Sequence, residues 1–118
     1  MKAPIPILRS YSEAEAKAFY VDYLGFEITF EHRFDAAAPL YFEVRRDDCV
    51  LHISEHHGDA APGTALRIEV ADIEAFHTDI TARGHKRLRP GINETDIGFR
   101  EVSVVDPFYN RLIFCQRT

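Results

Sequence analysis

Three glutamates, a histidine and an arginine occupy alternate positions of strand-like segments, where they could do acid–base or charge-pairing work on a small molecule. They are Glu43, Glu69 and Glu101, with His52 and Arg67. Each segment alternates apolar and polar residues with period two, so one phase must face a core and the other the opposite side of a sheet. Leu51 and Ile53 take the inner phase of one strand and leave Val50, His52 and Ser54 outside it. Leu66, Ile68 and Val70 leave Ala65, Arg67 and Glu69; Val102 and Val104 leave Phe99, Glu101 and Ser103; Leu40, Phe42 and Val44 leave Tyr41 and Glu43. If the sheets curl toward each other, the second phases line one cleft containing Tyr41, Glu43, His52, Arg67, Glu69, Phe99 and Glu101. Carboxylates between aromatic rings suit a cationic or planar guest, through charge pairing and cation–π attraction. The same polar groups could equally face bulk water on an open sheet. Arg67 is the discordant member and could neutralise Glu69 or Glu101. Glu69 or Glu101 near His52 could also act as a general base if burial raised a carboxylate pKa, although no spacing demands it.

Other reactive side chains carry weaker signals. His52, His56 and His57 could suggest a metal cluster, but an i, i+4 pair converges on a helix, and this segment runs from a strand into a loop. Arg83-Gly84-His85-Lys86-Arg87-Leu88-Arg89 is a local basic run that could touch a phosphate, although a solvated surface or a dimer contact explains it as well. Cys49 and Cys115 lie in strands without a nucleophile motif, and Cys49 shares the inner phase with Leu51. No Ser-His-Asp order, glycine-rich phosphate loop or amphipathic membrane helix is visible.

The elements that must position these residues form one pattern written twice. A short strand over Pro4 to Arg9 precedes a capping box at Ser12-Glu13-Ala14-Glu15, and the helix turns Ala18, Phe19 and Tyr23 inward before stopping at Gly25. Phe26 to Glu31, Leu40 to Val44 and Cys49 to Ser54 read as strands, the last two joined by the turn Arg45-Arg46-Asp47-Asp48. After the loop from His56 to Gly63 the order repeats. Leu66 to Val70 is a strand, Asp72 caps a helix carrying Ile73, Phe76 and Ile80, and Gly84 ends it. An irregular strand broken at Pro90-Gly91 is expected between His85 and Asn93, followed by strands over Phe99 to Val105 and Arg111 to Gln116. Ser12 and Asp72 lie 60 residues apart, and Gly25 and Gly84 lie 59 apart. A βαβββ unit of this size cannot bury both faces of its sheet alone, so pairing two is physically sensible.

At 118 residues and 46% hydrophobic, the chain is long enough to bury a core as one domain, with modules at about 1–58 and 64–118. Its formal charge of −5 disfavours nucleic acid as a partner and fits either a cationic ligand or ordinary solubility. No apolar run approaches the length of a membrane span, and the first residues lack a signal-peptide pattern. A cytoplasmic protein with reduced thiols is the expectation.

Two motifs add a family resemblance. Phe19-Tyr20-Val21-Asp22-Tyr23-Leu24-Gly25-Phe26 and Asp106-Pro107-Phe108-Tyr109-Asn110-Arg111-Leu112-Ile113-Phe114, with the repeat length, resemble the vicinal-oxygen-chelate superfamily of glyoxalases, bleomycin resistance proteins and dioxygenases. The resemblance covers nearly the whole chain. It implies an α+β fold in which two tandem βαβββ modules form curled mixed sheets around a cleft. The superfamily's metal-ligand positions fall on Ile5, His52, Ala65 and Ile113, and three of these have no donor atom. That pattern resembles the bleomycin-resistance branch, whose members bind the drug without altering it; Pro6 and Arg100-Glu101 match the same branch. Asp96-Ile97-Gly98-Phe99 departs from it by lacking the branch's tryptophan, and Phe108-Tyr109 replaces a small, turn-prone pair.

The resemblance therefore implies a homodimer that binds a small molecule, such as a cationic glycopeptide antibiotic, with no metal or cofactor, while the charge and the lack of a long apolar run predict no nucleic-acid or membrane partner. Exposed edge strands also motivate pairing of chains. The alternatives are a glyoxalase- or dioxygenase-type enzyme acting on a small metabolite, and an accessory module that senses one.

Overall fold

Two short polar side chains start the two helices. In the computed structural model, which describes residues 1–118, Ser12 adopts an extended backbone and accepts from Glu15 N at 3.2 Å. Helix α1 (Glu13–Lys17) follows and widens into a π-helical stretch over Ala18–Tyr23. Asp72 accepts from Ala75 N at 3.0 Å and starts α2 (Ile73–Arg83). Each bond satisfies an amide that the first helical turn would leave unpaired.

The first half contributes β1 (Ile7–Arg9), β2 (Glu27–His32), β3 (Tyr41–Arg46) and β4 (Cys49–Ser54), in the spatial order β1-β4-β3-β2. The second contributes β5 (Ala65–Glu69), β6 (Asn93–Glu94), β7 (Phe99–Val105) and β8 (Arg111–Arg117), in the order β5-β8-β7-β6. In both sheets the first strand pairs in parallel with the last, and the remaining pairs are antiparallel. The two halves are thus the same βαβββ module, and the fold is α+β with two mixed sheets that curl without closing.

Three departures from the sequence expectation have local causes. Strand β1 begins at Ile7 rather than Pro4, because Pro4 and Pro6 have no N–H to give; the Pro6 carbonyl still accepts from His52 N at 3.0 Å. The irregular strand expected before Asn93 reduces to Asn93–Glu94, which pair with Glu101 and Arg100. Strand β2 carries a register shift between Ile28 and Phe30, so its period-two alternation does not hold. Ile28 packs on the core, whereas Phe30 is 43% exposed and lies on the opposite face.

The sheets turn their inner phases toward one shared core. Leu8, Phe42, Val44, Leu51 and Ile53 of the first module join Val102, Val104, Leu112 and Phe114 of the second in a single buried cluster. Phe19, Tyr20 and Tyr23 from the first helix and Ile73, Phe76 and Ile80 from α2 complete it. A buried polar network sits beside them. Asp106 accepts from Tyr20 Oη at 2.6 Å, from Phe108 N at 2.8 Å and from Asn110 N at 2.9 Å, while Asn110 Nδ2 donates to the Arg9 carbonyl at 2.9 Å. No helix is long and apolar enough to cross a membrane.

Candidate functional site

The sheet faces turned away from the core carry the polar residues that the strand alternation singles out. In the first sheet the register places Ile7, His52, Glu43 and Phe30 in one row across all four strands. His52 Nε2 meets Glu43 Oε2 at 2.7 Å, and His52 Nδ1 meets Tyr41 Oη at 2.5 Å. The carboxylate can only accept, so Nε2 carries the proton, and in the singly protonated ring Nδ1 accepts from the Tyr41 hydroxyl. Thr29 Oγ1 donates to the other Glu43 oxygen at 2.7 Å, and the Phe30 ring lies edge-on to His52 with centroids 5.6 Å apart. The hydrogen bonds from His52 and then Thr29 hold the Glu43 carboxyl below its ordinary range. Partial burial pushes the Tyr41 phenol up, aided by the negative charges of Asp59 and Glu43, so Tyr41 keeps its proton.

The second sheet builds a different surface. Arg67 Nη1 donates to Glu101 Oε2 at 2.9 Å, and Arg117 Nε donates to Glu69 Oε1 at 2.7 Å. Both guanidiniums stack on the Phe99 ring, at 4.9 Å for Arg67 and 5.0 Å for Arg117. Two cations and two carboxylates thus frame one aromatic plate, with Ile113 and Cys115 buried in the strand beside Arg67 and Glu69. The pairs are partly exposed, so their Coulomb attraction is screened and they act chiefly to orient the side chains around Phe99.

All seven candidate residues lie on these outer faces, but they form two sets rather than one. Tyr41, Glu43 and His52 are joined to one another, and Arg67, Glu69, Phe99 and Glu101 are joined through Phe99 and Arg117. No hydrogen bond, ion pair or ring contact connects the sets. His52 pairs with Glu43 rather than with Glu69 or Glu101, the two partners weighed for a general-base dyad. Arg67 neutralises Glu101, one of its two anticipated partners. Thr29, Phe30 and Arg117 belong to the surfaces but do not stand out in the sequence.

The residues do not fit the metal of the resembled enzymes. Ile5, Ala65 and Ile113 offer no electron pair, and both ring nitrogens of His52 are engaged. No three His, Cys, Asp or Glu side chains come together as a metal-holding group. His56 stays apart from His52, with its ring against Phe34 at 5.4 Å and its carbonyl accepting from Arg9. In the basic run, Arg83 pairs with Asp79 at 3.0 Å and Arg89 bonds the Leu88 carbonyl at 2.7 Å. His85 packs on Tyr23 with centroids 5.3 Å apart, where burial, then Lys86, Arg87 and Arg89, push its pKa down.

Comparisons with known proteins agree with this architecture. A family model described as glyoxalase superfamily protein matches residues 1–118. No curated protein sequence matches the chain. Among solved structures, a bleomycin-binding protein complexed with bleomycin is 24% identical with a TM-score of 0.72, covering 100% of both chains. The bleomycin resistance determinant encoded on transposon Tn5 is 22% identical with a TM-score of 0.73, covering 99% of this chain and 98% of its own. TnmS3, an antibiotic-binding protein from Streptomyces sp. CB03234, is 18% identical with a TM-score of 0.74, covering 100% of this chain and 98% of its own. At these identities the structural likeness establishes the shared fold.

Proposed function

The chain belongs to the glyoxalase superfamily, and within it we propose a cytoplasmic small-molecule binding protein that sequesters its ligand without a metal and without chemical change. The observation that carries this reading is the commitment of His52. It is the one donor among the four superfamily metal positions, and its two nitrogens already serve Tyr41 and Glu43. The fold shared with three antibiotic-binding or resistance proteins supports the same role. The ligand class is cationic or aromatic, with a bleomycin-type antibiotic as the candidate; Phe99, Phe30 and Tyr41 supply planar contact area, and Glu43, which has no arginine partner, supplies negative charge.

A single chain leaves both faces open outside its core. A homodimer that sets the first face of one chain against the second face of its partner would enclose two equivalent sites, each with all seven residues. Calorimetric titration of chelator-treated protein with bleomycin, metal-free and copper-loaded, tests this reading. Saturable binding of two drugs per dimer supports it, and no heat at two temperatures rejects bleomycin as the ligand.

The Tyr41–His52–Glu43 line also favours a second reading, an enzyme of the same fold that moves a proton on a small metabolite. Under that reading Glu43→Gln would abolish turnover while leaving substrate affinity nearly unchanged.

A further inference from the structure

An open cavity of about 600 Å³ lies where the two modules meet, with Glu69 of the second face at its edge. Its size falls within the roughly 300–1,000 Å³ typical of small-molecule pockets. Its floor is apolar, built from Phe26, Ile68, Val70, Phe76 and Phe114. Ile68 and Val70 belong to the inner phase of β5 and its extension, yet they remain only partly covered. Core-type side chains left against water carry a standing free-energy cost that an apolar guest would remove.

The rim is charged and unbalanced. Arg46, its one cation, is already occupied: Nη1 donates to the Leu24 carbonyl at 2.7 Å and pairs with Asp79 at 3.0 Å, and the guanidinium stacks on Phe76. Opposing it are Asp47, Asp48 and Asp72. Asp47 makes no side-chain bond, and Asp48 reaches Arg45 only at 3.6 Å with its side chain fully exposed. Asp72 spends one oxygen on capping α2.

We propose that this inter-module cavity is a second ligand site, selective for an amphipathic ammonium ion whose apolar body lies on Ile68 and Val70 and whose cationic head meets Asp47 and Asp48. A carboxylate of the same shape would place like charges together at the rim. The site shares only Glu69 with the antibiotic-binding reading and uses neither Phe99 nor His52.

Cys49 gives a direct readout, because its half-buried thiol lines the cavity while Cys115 is wholly buried elsewhere. The experiment follows iodoacetamide alkylation of each cysteine by peptide mass spectrometry, with octylammonium or octanoate below their aggregation concentrations. At about twice its Kd, octylammonium should slow Cys49 alkylation about threefold by mass action. Octanoate should leave the rate unchanged. Asp47→Asn with Asp48→Asn should remove the protection, and Asn suits the left-handed backbone at position 47. Ala75→Trp, at an exposed helix position on the cavity wall, should slow alkylation without any ligand. Equal protection by both octyl probes, or protection by neither, overturns the proposal whatever the outcome with bleomycin.

Discussion

The Tyr20 hydroxyl donates to Asp106 Oδ2 at 2.6 Å across 86 positions of sequence, so a phenol of the first module and a carboxylate of the second share one buried bond. Asn110 supports it, giving one amide proton to Asp106 and another to the Arg9 carbonyl. The modules are therefore tied by directional bonds as well as by apolar packing.

Tyr20→Phe should cost about 1.5–3 kcal/mol, the range for a bond to a charged partner. Burial, then the Asp106 charge, raise the Tyr20 pKa well above 10.0. The sign follows from linkage: stability from this group is full below the unfolded value and is lost as pH rises toward the folded one. Urea melts should show a wild-type advantage that is intact at neutral pH and declines above about pH 10.

Glu43 behaves in the opposite sense. His52 and Thr29 hold its carboxyl below the ordinary value of 4.5, so its contribution is present above that pH and is lost as pH falls through the folded value. The stability gap between wild type and Glu43→Gln should close in acid denaturation curves below about pH 4.5. A gap that stays constant would show that the hydrogen bonds from His52 and Thr29 do not depress the pKa.

The Arg67–Glu101 pair makes opposite predictions for its two members. Arg67→Gln frees a carboxylate beside Phe99 and should tighten a cationic ligand; Glu101→Gln leaves an unpaired cation and should weaken it. Each change should alter Kd by several-fold, by calorimetry. Equal affinities across wild type and both variants would remove the second face from the site.

Sedimentation should give the mass of two chains at micromolar concentration, as the enclosure of both faces requires. Phe30→Glu, which puts charge on an exposed ring beside His52, should shift the mass toward one chain. A single-chain mass for the wild type would leave both surfaces open and sink the proposed arrangement.

Gly25 has φ +74°, and a Cβ there would come within 2.9 Å of Arg46 and Arg83 side-chain atoms. Gly25→Ala should therefore destabilise the chain by about 1–2 kcal/mol in thermal melts, chiefly through backbone strain.

The duplicated module was legible because its punctuation is local: Ser12 and Asp72 cap helices, Gly25 and Gly84 end them, and strand alternation separates His52 from Leu51. What escaped depends on partners across the sheet. The alternation of Phe26, Ile28 and Phe30 reads as one buried stripe, yet the bulge at Thr29 turns Phe30 outward and brings the Thr29 hydroxyl to Glu43. Arg117 lies one residue beyond the expected end of the last strand, and nothing nearby in sequence marks it as a partner of Glu69 and Phe99. The π-helical widening after Lys17 likewise has no residue pattern of its own. Membership of the two faces was readable, whereas their separation depends on how the modules share a core.

That separation bears on how such a protein can change. Tyr41, His52 and Glu43 support one another, as do Arg67, Glu101 and Phe99, so a mutation in either group leaves the other intact. Ligand preference could thus drift in two independent halves, each tested by selection without dismantling its counterpart.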